Sequence, residues 1–384
     1  MSSPVAAERT RWHAAGDSSI ARLRTAVLRV PLDADLRAYG PRHVNVLFVE
    51  MSDTDGRTGT GFTYTFGPES APVRSMVDDV IAPLVIGVKL RGWQQTYREL
   101  RVRTRRIGRH VFLPAISAVD IAAWDLQSRI LDLPLYRFLG RSESTVPIYG
   151  SGRSGNSLAV DELVAGARAY VDEGYSAMKL RVGARTPEED LERLGAVRDA
   201  VGDRARLMID CNERLDLVTA LWLSERVADL GVYWIEEPLP AEQLEAYTTL
   251  AARSRTPLAT GEHLVAEEFE QYAQRNAVAV FQPDVALAGG ITAGVQVCAL
   301  ASTHGVSVSL HSLPELHVQL ATGDPNVCYV EHFPILDRIM AAPLKQVDGT
   351  VTAPARPGHG ILWDWDAIAA NVISGEIPPQ VDEP

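Results

Sequence analysis

Cysteine is scarce in this chain, and its placement excludes two classes of small cross-linked fold. Only three cysteines occur, Cys211, Cys298 and Cys328, and no two of them have the C-x-x-C spacing of a zinc site. Their odd number and wide separation also argue against the disulfide framework of a small secreted domain. We therefore expect a protein of a reducing compartment and assign it to the cytoplasm.

The chain also lacks long apolar runs and an excess of basic charge. No segment approaches the roughly 18 consecutive apolar residues of a membrane span, and the first residues, MSSPVAAERTRWHAAGDSS, have no apolar centre like that of a signal peptide. Lys and Arg total 37 against 49 Asp and Glu, which gives a formal net charge of -12. Because nucleic-acid binding needs a basic face, we expect neither nucleic acid nor a membrane as a partner. The first ~15 residues are expected to be a disordered tail.

The chain begins with an α+β pattern, which we assign to a domain of residues 1–140. TAVLRVPL is predicted to be a strand, and HVNVLFVEM and TGTGFTYTF flank a turn-rich link at 53–56, so we predict a hairpin. Helical periodicity follows over 73–84 and recurs in ISAVDIAAWDLQSRILDLPLYRFLG. We expect Gly140 to end this second helix as its C-cap.

From 141 to 350, short apolar runs alternate with amphipathic helices. The eight runs are predicted strands that end near Tyr149, Leu180, Ile209, Ile235, Ala259, Phe281, Leu310 and Val330. The seven predicted helices span about 160–173, 187–200, 217–230, 241–252, 266–274, 292–303 and 314–321. This alternation is typical of an α/β fold with a closed parallel barrel. An open doubly wound sheet is the alternative, but YGSGRSG lacks its G-x-G-x-x-G turn. Residues 351–384 are predicted to return to the first domain.

Carboxylates stand at the ends of three successive predicted strands. LMIDCN, WIEEPLP and LATGEH supply Asp210, Glu236 and Glu262, at equal intervals of 26 residues. The strands of a parallel barrel end at one rim, where barrel enzymes carry their chemistry. A single acid there is commonly a helix cap, but three in one register favour a metal site. Three hard oxygen ligands suit Mg²⁺ better than zinc.

The residues beside these acids are predicted to support the metal ligands or contact a substrate. Successive side chains of a strand point in opposite directions, so Glu237 cannot share a metal with Glu236. We expect Glu237 to pair with a neighbouring cation or amide. Asn212 and His263 are assigned to the same supporting group.

The remaining strand ends supply a predicted acid–base group. Asp284 ends one strand and His311 the next, so the carboxylate is placed to fix the imidazole tautomer and raise its basicity. A histidine without such a neighbour is more often structural. Glu331 is expected to stay protonated and to donate a hydrogen bond to a developing oxyanion. Lys179 and Arg181 are two residues apart and face the mouth together, where a salt bridge to the acids is the competing interpretation.

Together these residues resemble the mandelate racemase subgroup of the enolase superfamily. The resemblance extends along most of the chain and includes AVDIAAWDLQSRILDLPLYRFLG, GGIT after the strand of Asp284, and PGHGILWD near the end. It implies a modified TIM barrel, (β/α)7β, under an N-terminal α+β capping domain. It further implies one Mg²⁺ per active site, removal of a proton next to a substrate carboxylate, and an even-numbered homo-oligomer.

The second barrel strand departs from the family pattern, and this departure selects between reactions. The family often has Lys-x-Lys there, whereas this chain has Lys179 and Arg181. Arginine keeps its proton up to a pKa above roughly 12, so it is a poor base and is better suited to holding a carboxylate or hydroxyl. His311 is then the one secure base, which is enough for a dehydratase. We expect dehydration of a sugar acid to a 2-keto-3-deoxy acid through an enediolate, stabilised by Lys179 and Glu331.

Two other functions stay open. A racemase, epimerase or cycloisomerase would use Arg181 or Lys179 as a second base, and a non-catalytic barrel would bind an acid without turnover. A muconate-cycloisomerase type is disfavoured because residues 285–288 contain no lysine. For contacts to the small-molecule carboxylate substrate from the capping domain we propose Arg37, Tyr39 and Tyr64, each equally suited to an ordinary surface or packing role.

Overall fold

The computed structural model describes residues 18–37, 40–103 and 108–376. The expected N-terminal tail and Tyr39 lie outside these residues, as does the side chain of Arg37. No helix in the described part of the chain is long and apolar enough to cross a membrane.

Thirteen strands and fifteen α-helices make up the described ranges. The strands are β1 (Ile20–Pro31), β2 (His43–Asp53), β3 (Thr58–Thr65), β4 (Thr145–Gly150), β5 (Ala177–Arg181), β6 (Arg206–Asp210), β7 (Val232–Glu236), β8 (Leu258–Thr260), β9 (Val280–Phe281), β10 (Ser307–Leu310), β11 (Val327–His332), β12 (Thr350–Thr352) and β13 (Val372–Gly375). The helices are α1 (Ala34–Arg37), α2 (Ser70–Ser75), α3 (Ala82–Val85), α4 (Trp93–Arg103), α5 (Arg109–Ile130), α6 (Leu135–Phe138), α7 (Val160–Asp172), α8 (Pro187–Val201), α9 (Leu217–Val227), α10 (Leu244–Ala251), α11 (Ala266–Gln274), α12 (Val285–Ala288), α13 (Gly290–His304), α14 (Pro314–Ala321) and α15 (Trp365–Asn371). A π-helical turn, Met76–Ile81, joins α2 to α3.

The capping domain is a four-stranded antiparallel sheet of three N-terminal strands and the C-terminal strand β13, with helices packed on it. The sheet order is β13-β1-β2-β3, and the predicted hairpin of β2 and β3 is confirmed. Helix α5 lies directly against β3 because that strand carries glycines at the contact. A Cβ added to Gly61 would lie 2.1 Å from the carbonyl oxygen of Ala118, so no larger residue allows this approach.

The prediction that one helix runs as far as Gly140 is wrong. Helix α5 ends at Ile130, the chain turns at Asp132 with φ 58°, and the separate short helix α6 begins after Pro134. Proline lacks the N–H that a continuous helix needs and disfavours the helical conformation in the preceding residue. Gly140, with φ 78°, follows α6 instead.

Strands β4 to β11 form the predicted closed barrel. Each strand pairs in parallel with the next along the chain, and β11 pairs with β4 to close the ring. Helices lie between successive strands, and α7 to α11 follow the predicted ranges to within a few residues. The α/β barrel with an antiparallel capping sheet is therefore confirmed.

A layer of buried, mainly apolar side chains lies inside the barrel just below its functional rim. This layer consists of Tyr149, Ala177, Met208, Trp234, Ala259, Val280 and Tyr329. Because strand side chains alternate, the residue two positions later points to the same interior. On β5, β6, β7 and β11 those residues are Lys179, Asp210, Glu236 and Glu331. The charged groups at the barrel mouth thus stand on a packed apolar floor.

The capping sheet is tied to this mouth by hydrogen bonds. The hydroxyl of Thr63 on β3 donates to the carbonyl of Ala286 at 2.7 Å, and Trp124 Nε1 on α5 donates to Thr292 Oγ1 at 2.9 Å. The C-terminal segment adds further links, since β12 pairs with β4 of the barrel and β13 pairs with β1 of the cap.

Candidate active site

Lys179 lies at the centre of the barrel mouth, where it is 1% exposed. Its Nζ is 2.9 Å from Glu331 Oε1 and 3.6 Å from Asp210 Oδ2, and it also contacts Glu236 Oε1. Burial alone would lower the pKa of Lys179, but the charges of Glu236 and Glu331 raise it well above its ordinary value. Lys179 is therefore a fixed cation in a ring of acids.

Asp210 and Glu236 stand side by side at the ends of paired strands and are held in place by neighbouring donors. They are register partners on β6 and β7. Asn212 donates to both oxygens of Asp210, from its backbone N at 2.9 Å and its Nδ2 at 3.1 Å. Glu236 Oε2 accepts from Trp234 Nε1 at 3.2 Å and from Gln282 Nε2 at 2.5 Å. These contacts fix where both carboxylates point.

Glu262 reaches the mouth by a different route, because it stands two residues beyond the end of β8. The intervening Gly261 has φ 154°, and a Cβ added there would lie 2.7 Å from Gln282 N. Glycine thus allows the close turn that aims Glu262 inward. Its carboxylate lies 2.5 Å from His311 Nε2 and 3.3 Å from His263 Nε2.

His311 is held by Asp284, as the sequence predicts, and a residue of the cap completes the arrangement. The Nδ1–H of His311 donates to Asp284 Oδ2 at 3.1 Å, and the hydroxyl of Tyr64 donates to the same oxygen at 2.7 Å. This leaves Nε2 facing Glu262 and, at 3.5 Å, Glu331. Burial would lower the pKa of His311, but Glu262, Glu331 and Asp284 together raise it well above its ordinary value.

The expectation that Glu331 stays protonated is not supported by its surroundings. Burial favours the neutral acid, but the charges of Lys179 and His311 lower the pKa of Glu331 to about 2. Its Oε2 accepts a hydrogen bond from the backbone N of Ser312 at 2.9 Å, as an ionised carboxylate does. The positive charge of Lys179, 2.9 Å from Glu331, outweighs the effect of burial and of the neighbouring acids.

A cavity of about 620 Å³ opens between the cap and the barrel beside these groups. The cap contributes Tyr64 and Phe66 to its wall, and the barrel contributes Arg181, Glu262 and His311. Arg181 Nε is 3.8 Å from Asp210 Oδ2, so Arg181 shares the acidic environment of Lys179 while bordering the cavity. Of the three substrate contacts predicted from the cap, Tyr64 is the one whose side chain the structure describes, and it lies at this cavity.

Glu237 and His263 lie together beside Glu262 at the rim, with Glu213. His263 Nδ1 is 3.4 Å from Glu213 Oε1 and 3.6 Å from Glu237 Oε1. Burial, with the charge of Glu262, raises the pKa of Glu237 to about 8. Contacts with Glu213 and Glu237 raise the pKa of His263 to about 11. The cation expected beside Glu237 is thus His263.

Several residues of the site escaped the sequence analysis, although some left a signal. Trp234 precedes Glu236 by two positions and therefore shares its face, so a hydrogen bond between them was open to prediction. Gln282 holds Glu236 from the position just after β9. Ser312 holds Glu331 through its backbone N–H, a contact that the residue type does not indicate. Glu213 gave no pattern that separates it from a surface acid.

The donor set of the mouth fits a hard divalent cation. Five carboxylates meet there and three basic side chains balance them only in part: Asp210, Glu236, Glu262, Asp284 and Glu331 against Lys179, Arg181 and His311. The three predicted ligands offer oxygen atoms only, which is the chemistry that Mg²⁺ prefers. Their oxygens do not all lie within 4.8 Å of one another, because Glu262 turns to His311.

Comparison with known proteins gives the same family for both parts of the chain. Residues 162–367 match the Enolase C-terminal domain-like family, and residues 25–140 match the Mandelate racemase / muconate lactonizing enzyme, N-terminal domain. The chain is 32% identical over 361 residues to 3,6-anhydro-alpha-L-galactonate cycloisomerase of Streptomyces coelicolor, covering 92% of this chain and 99% of that protein. It is also 32% identical to L-talarate/galactarate dehydratase of Salmonella typhimurium, over 83% of this chain and 80% of that one.

A solved structure extends the likeness to three dimensions. L-Talarate dehydratase from Polaromonas sp. JS666, complexed with Mg and L-glucarate, superposes with a TM-score of 0.86 at 29% identity, covering 94% of this chain and 99% of that one. Both domains and the barrel topology agree with these matches. The chain therefore belongs to the mandelate racemase/muconate lactonizing enzyme group of the enolase superfamily.

Proposed function

We propose that this protein is a Mg²⁺-dependent acid-sugar dehydratase, which removes the α-proton of a hydroxylated carboxylate and releases a 2-keto-3-deoxy acid. The observation that carries this proposal is the position of His311. Asp284 fixes its Nδ1 side, and its Nε2 points to the cavity beside three carboxylates that suit a metal. A base beside a cation site, under a cap with room for a small polar molecule, fits proton removal next to a carboxylate.

Asp210, Glu236 and Glu262 are the residues that would hold Mg²⁺. When bound, the cation supplies Lewis-acid stabilisation of the negative charge that develops on the substrate carboxylate. The presence of Mg together with L-glucarate in the structure of one relative supports a Mg²⁺ site in this family of barrels.

His311 is proposed as the base that takes the α-proton through Nε2. Asp284 orients the ring so that Nε2, which contacts Glu262 in this structure, faces the substrate cavity, and it stabilises the imidazolium that forms when Nε2 takes the α-proton. The imidazolium then returns its proton to the departing β-hydroxyl, which leaves as water while the enediolate electrons form the carbon–carbon double bond. The enol product tautomerises to the 2-keto-3-deoxy acid.

Lys179 is proposed to stabilise the enediolate as a fixed positive charge. It is buried, and acids surround it, so it keeps its proton and cannot serve as a second base. Arg181 borders the cavity and is suited to holding a substrate oxygen. Glu331 is proposed to act as a carboxylate and not as the predicted hydrogen-bond donor. It positions Lys179 and the backbone of Ser312.

The alternative is an isomerase, either a racemase or epimerase or a cycloisomerase. The observation that favours it is the 92% coverage of this chain in the match to a cycloisomerase. A non-catalytic binding barrel is the second alternative, and the assembled His311–Asp284 pair beside the acids argues against it.

The test is a screen of mono- and diacid sugars in D₂O, with and without Mg²⁺. The dehydratase proposal predicts Mg²⁺-dependent keto-acid formation, detected as a semicarbazone, and loss of at least 10³-fold in His311→Asn. Deuterated or stereo-inverted acid without keto acid would establish the isomerase instead. Unchanged acids throughout, with ligand binding retained in His311→Asn, would favour the binding barrel.

A further inference from the structure

We propose that Glu213, Glu237 and His263 form a second divalent-cation site, which takes a transition-metal ion and is distinct from the Mg²⁺ site in the barrel mouth. One ligand atom from each side chain lies within 4.8 Å of the others. No other group of three or more His, Cys, Asp or Glu side chains in the described ranges meets this spacing. Two carboxylates and one imidazole are a complete set of protein ligands for an ion that keeps water in its remaining positions.

The course of the strands explains how a second set of ligands arises beside the first. Glu237 directly follows Glu236, and His263 directly follows Glu262. Glu237 has φ 40° and His263 lies in the turn after β8, so both side chains leave the chain in directions that differ from those of the proposed Mg²⁺ ligands before them and come together beside Glu262. Glu213 joins them there, where its Oε1 accepts a hydrogen bond from the backbone N of Ala241 at 2.8 Å. Its second oxygen stays available to an ion.

Glu237 provides an independent sign that a ligand belongs in this cluster. It is 2% exposed, yet neither of its carboxylate oxygens accepts a hydrogen bond from the residues that the structure describes. A buried polar group without a partner costs on the order of 1–3 kcal/mol, and a charged one costs more. Its Oε1 points toward His263 Nδ1 at 3.6 Å, a separation too long for a hydrogen bond. An ion between the two would satisfy both.

His263 has the arrangement of a metal-binding histidine. Its Nε2 is 3.3 Å from Glu262 Oε1, so a proton on Nε2 is directed at a carboxylate, and Nδ1 faces Glu213 and Glu237. An ion bound at Nδ1 would replace the proton that makes His263 the cation of this cluster in the free protein. This carboxylate–histidine–metal order is the usual way in which proteins orient an imidazole ligand. Imidazole selects Zn²⁺, Co²⁺ or Ni²⁺ over Mg²⁺, so the two sites differ in the ion that they prefer. The side chain of His263 is 44% exposed, which gives an ion access.

Cobalt provides the most direct test, because its visible absorption reports a nitrogen-containing site. We titrate the Mg²⁺-saturated protein with Co²⁺, follow the visible band, and measure bound Zn²⁺ and Co²⁺ by equilibrium dialysis. One Co²⁺ per chain is expected beyond the bound Mg²⁺, with affinity at least tenfold weaker in Glu237→Gln and in His263→Gln. The exposed Glu242→Gln, beside Ala241, is the matched control and should bind as the wild type does.

Three results would overturn the second site. The first is the absence of a Co²⁺ band in the Mg²⁺-saturated wild type. This result would mean that the proton on His263, attracted by Glu213 and Glu237, stabilises the cluster and that no metal ion binds there. The second is a band of undiminished affinity in both Glu237→Gln and His263→Gln. The third is a band lost in Asp210→Asn and kept in Glu237→Gln, which would place the cobalt in the mouth. Circular dichroism of each variant shows whether its fold is retained, and the readout does not depend on catalysis.

Discussion

Replacing Lys179 by methionine tests whether this buried cation stabilises the excess of acidic side chains in the barrel mouth. Methionine keeps the length of the side chain and removes its charge. The ammonium nitrogen lies 2.9 Å from Glu331 Oε1 and 3.6 Å from Asp210 Oδ2, and it contacts Glu236 as well. Its removal leaves three buried carboxylates facing one another, with Arg181 near Asp210 and His311 near Glu331 to balance them in part.

The size of the effect follows from these distances. At an effective dielectric constant near 20, unit charges at such separations attract by about 5 kcal/mol for each pair. Most of this gain only offsets the cost of burying the charges, so the net loss is smaller. Removing one partner of a buried ion pair typically costs about 3–5 kcal/mol, which is the destabilisation that we expect for Lys179→Met.

Urea unfolding in EDTA and in saturating Mg²⁺ measures both parts of the effect. In EDTA, Lys179→Met should lose about 3–5 kcal/mol, whereas Lys345→Met, at an exposed lysine, should lose less than about 0.5 kcal/mol. Mg²⁺ should stabilise Lys179→Met more than it stabilises the wild type, because a mouth with one cation fewer binds Mg²⁺ more tightly and ligand binding stabilises the folded state.

Two results would refute this account of the mouth. One is a Lys179→Met protein as stable as the wild type in EDTA, which would mean that the acids share protons and do not need the lysine. The other is a smaller Mg²⁺ stabilisation in Lys179→Met than in the wild type, which would place the ion away from these carboxylates.

Four further predictions follow from the same contacts. Tyr64→Phe removes the hydrogen bond to Asp284 and should lower kcat about tenfold with little change in KM; an unchanged kcat would mean that the cap does not orient the pair. Asp284→Asn removes the acceptor that fixes the tautomer of His311 and should lower kcat at least 10²-fold, while calorimetry shows Mg²⁺ bound as in the wild type. Arg181→Lys should weaken substrate binding and create no racemase; α-proton exchange on a second face, seen by NMR in D₂O, would show two-base chemistry. Burial raises the pKa of Glu315 from 4.5 to about 8, so the folded protein keeps a proton that the unfolded chain loses, and the contribution of Glu315 to stability should fall by roughly 4–5 kcal/mol as pH rises from 4.5 to 8. Glu315→Gln should flatten that slope in urea unfolding, and an identical slope would contradict the assignment.

The parts of the fold that follow a simple period were predictable. Asp210 and Glu236 end strands of regular alternation, and their place at the rim follows from the barrel that the pattern predicts. The His311–Asp284 contact was predictable for the same reason, since adjacent strands bring consecutive strand ends together. The periodicity did not reveal the helix break before Pro134. Apolar residues continue past this proline, although helix α5 ends at Ile130.

Which side chains pair with one another across strands could not be predicted from the sequence. The ionised state of Glu331 depends on Lys179, which lies 152 residues earlier in the chain, and no local pattern records their distance of 2.9 Å. Tyr64 was predicted as a substrate contact, and only the packing of the cap on the barrel places its hydroxyl on Asp284. The roles of the site residues, the homo-oligomeric assembly and the cytoplasmic location stay predictions.

A crystal structure with Mg²⁺ and a non-reacting acid-sugar analogue tests the central claim most directly. The account predicts one ion bound by oxygens of Asp210, Glu236 and Glu262 at about 2.1 Å, with the analogue carboxylate on the ion and His311 Nε2 beside its α-carbon. An ion held by other residues, or Glu262 still paired with His311 while the analogue is bound, would contradict it.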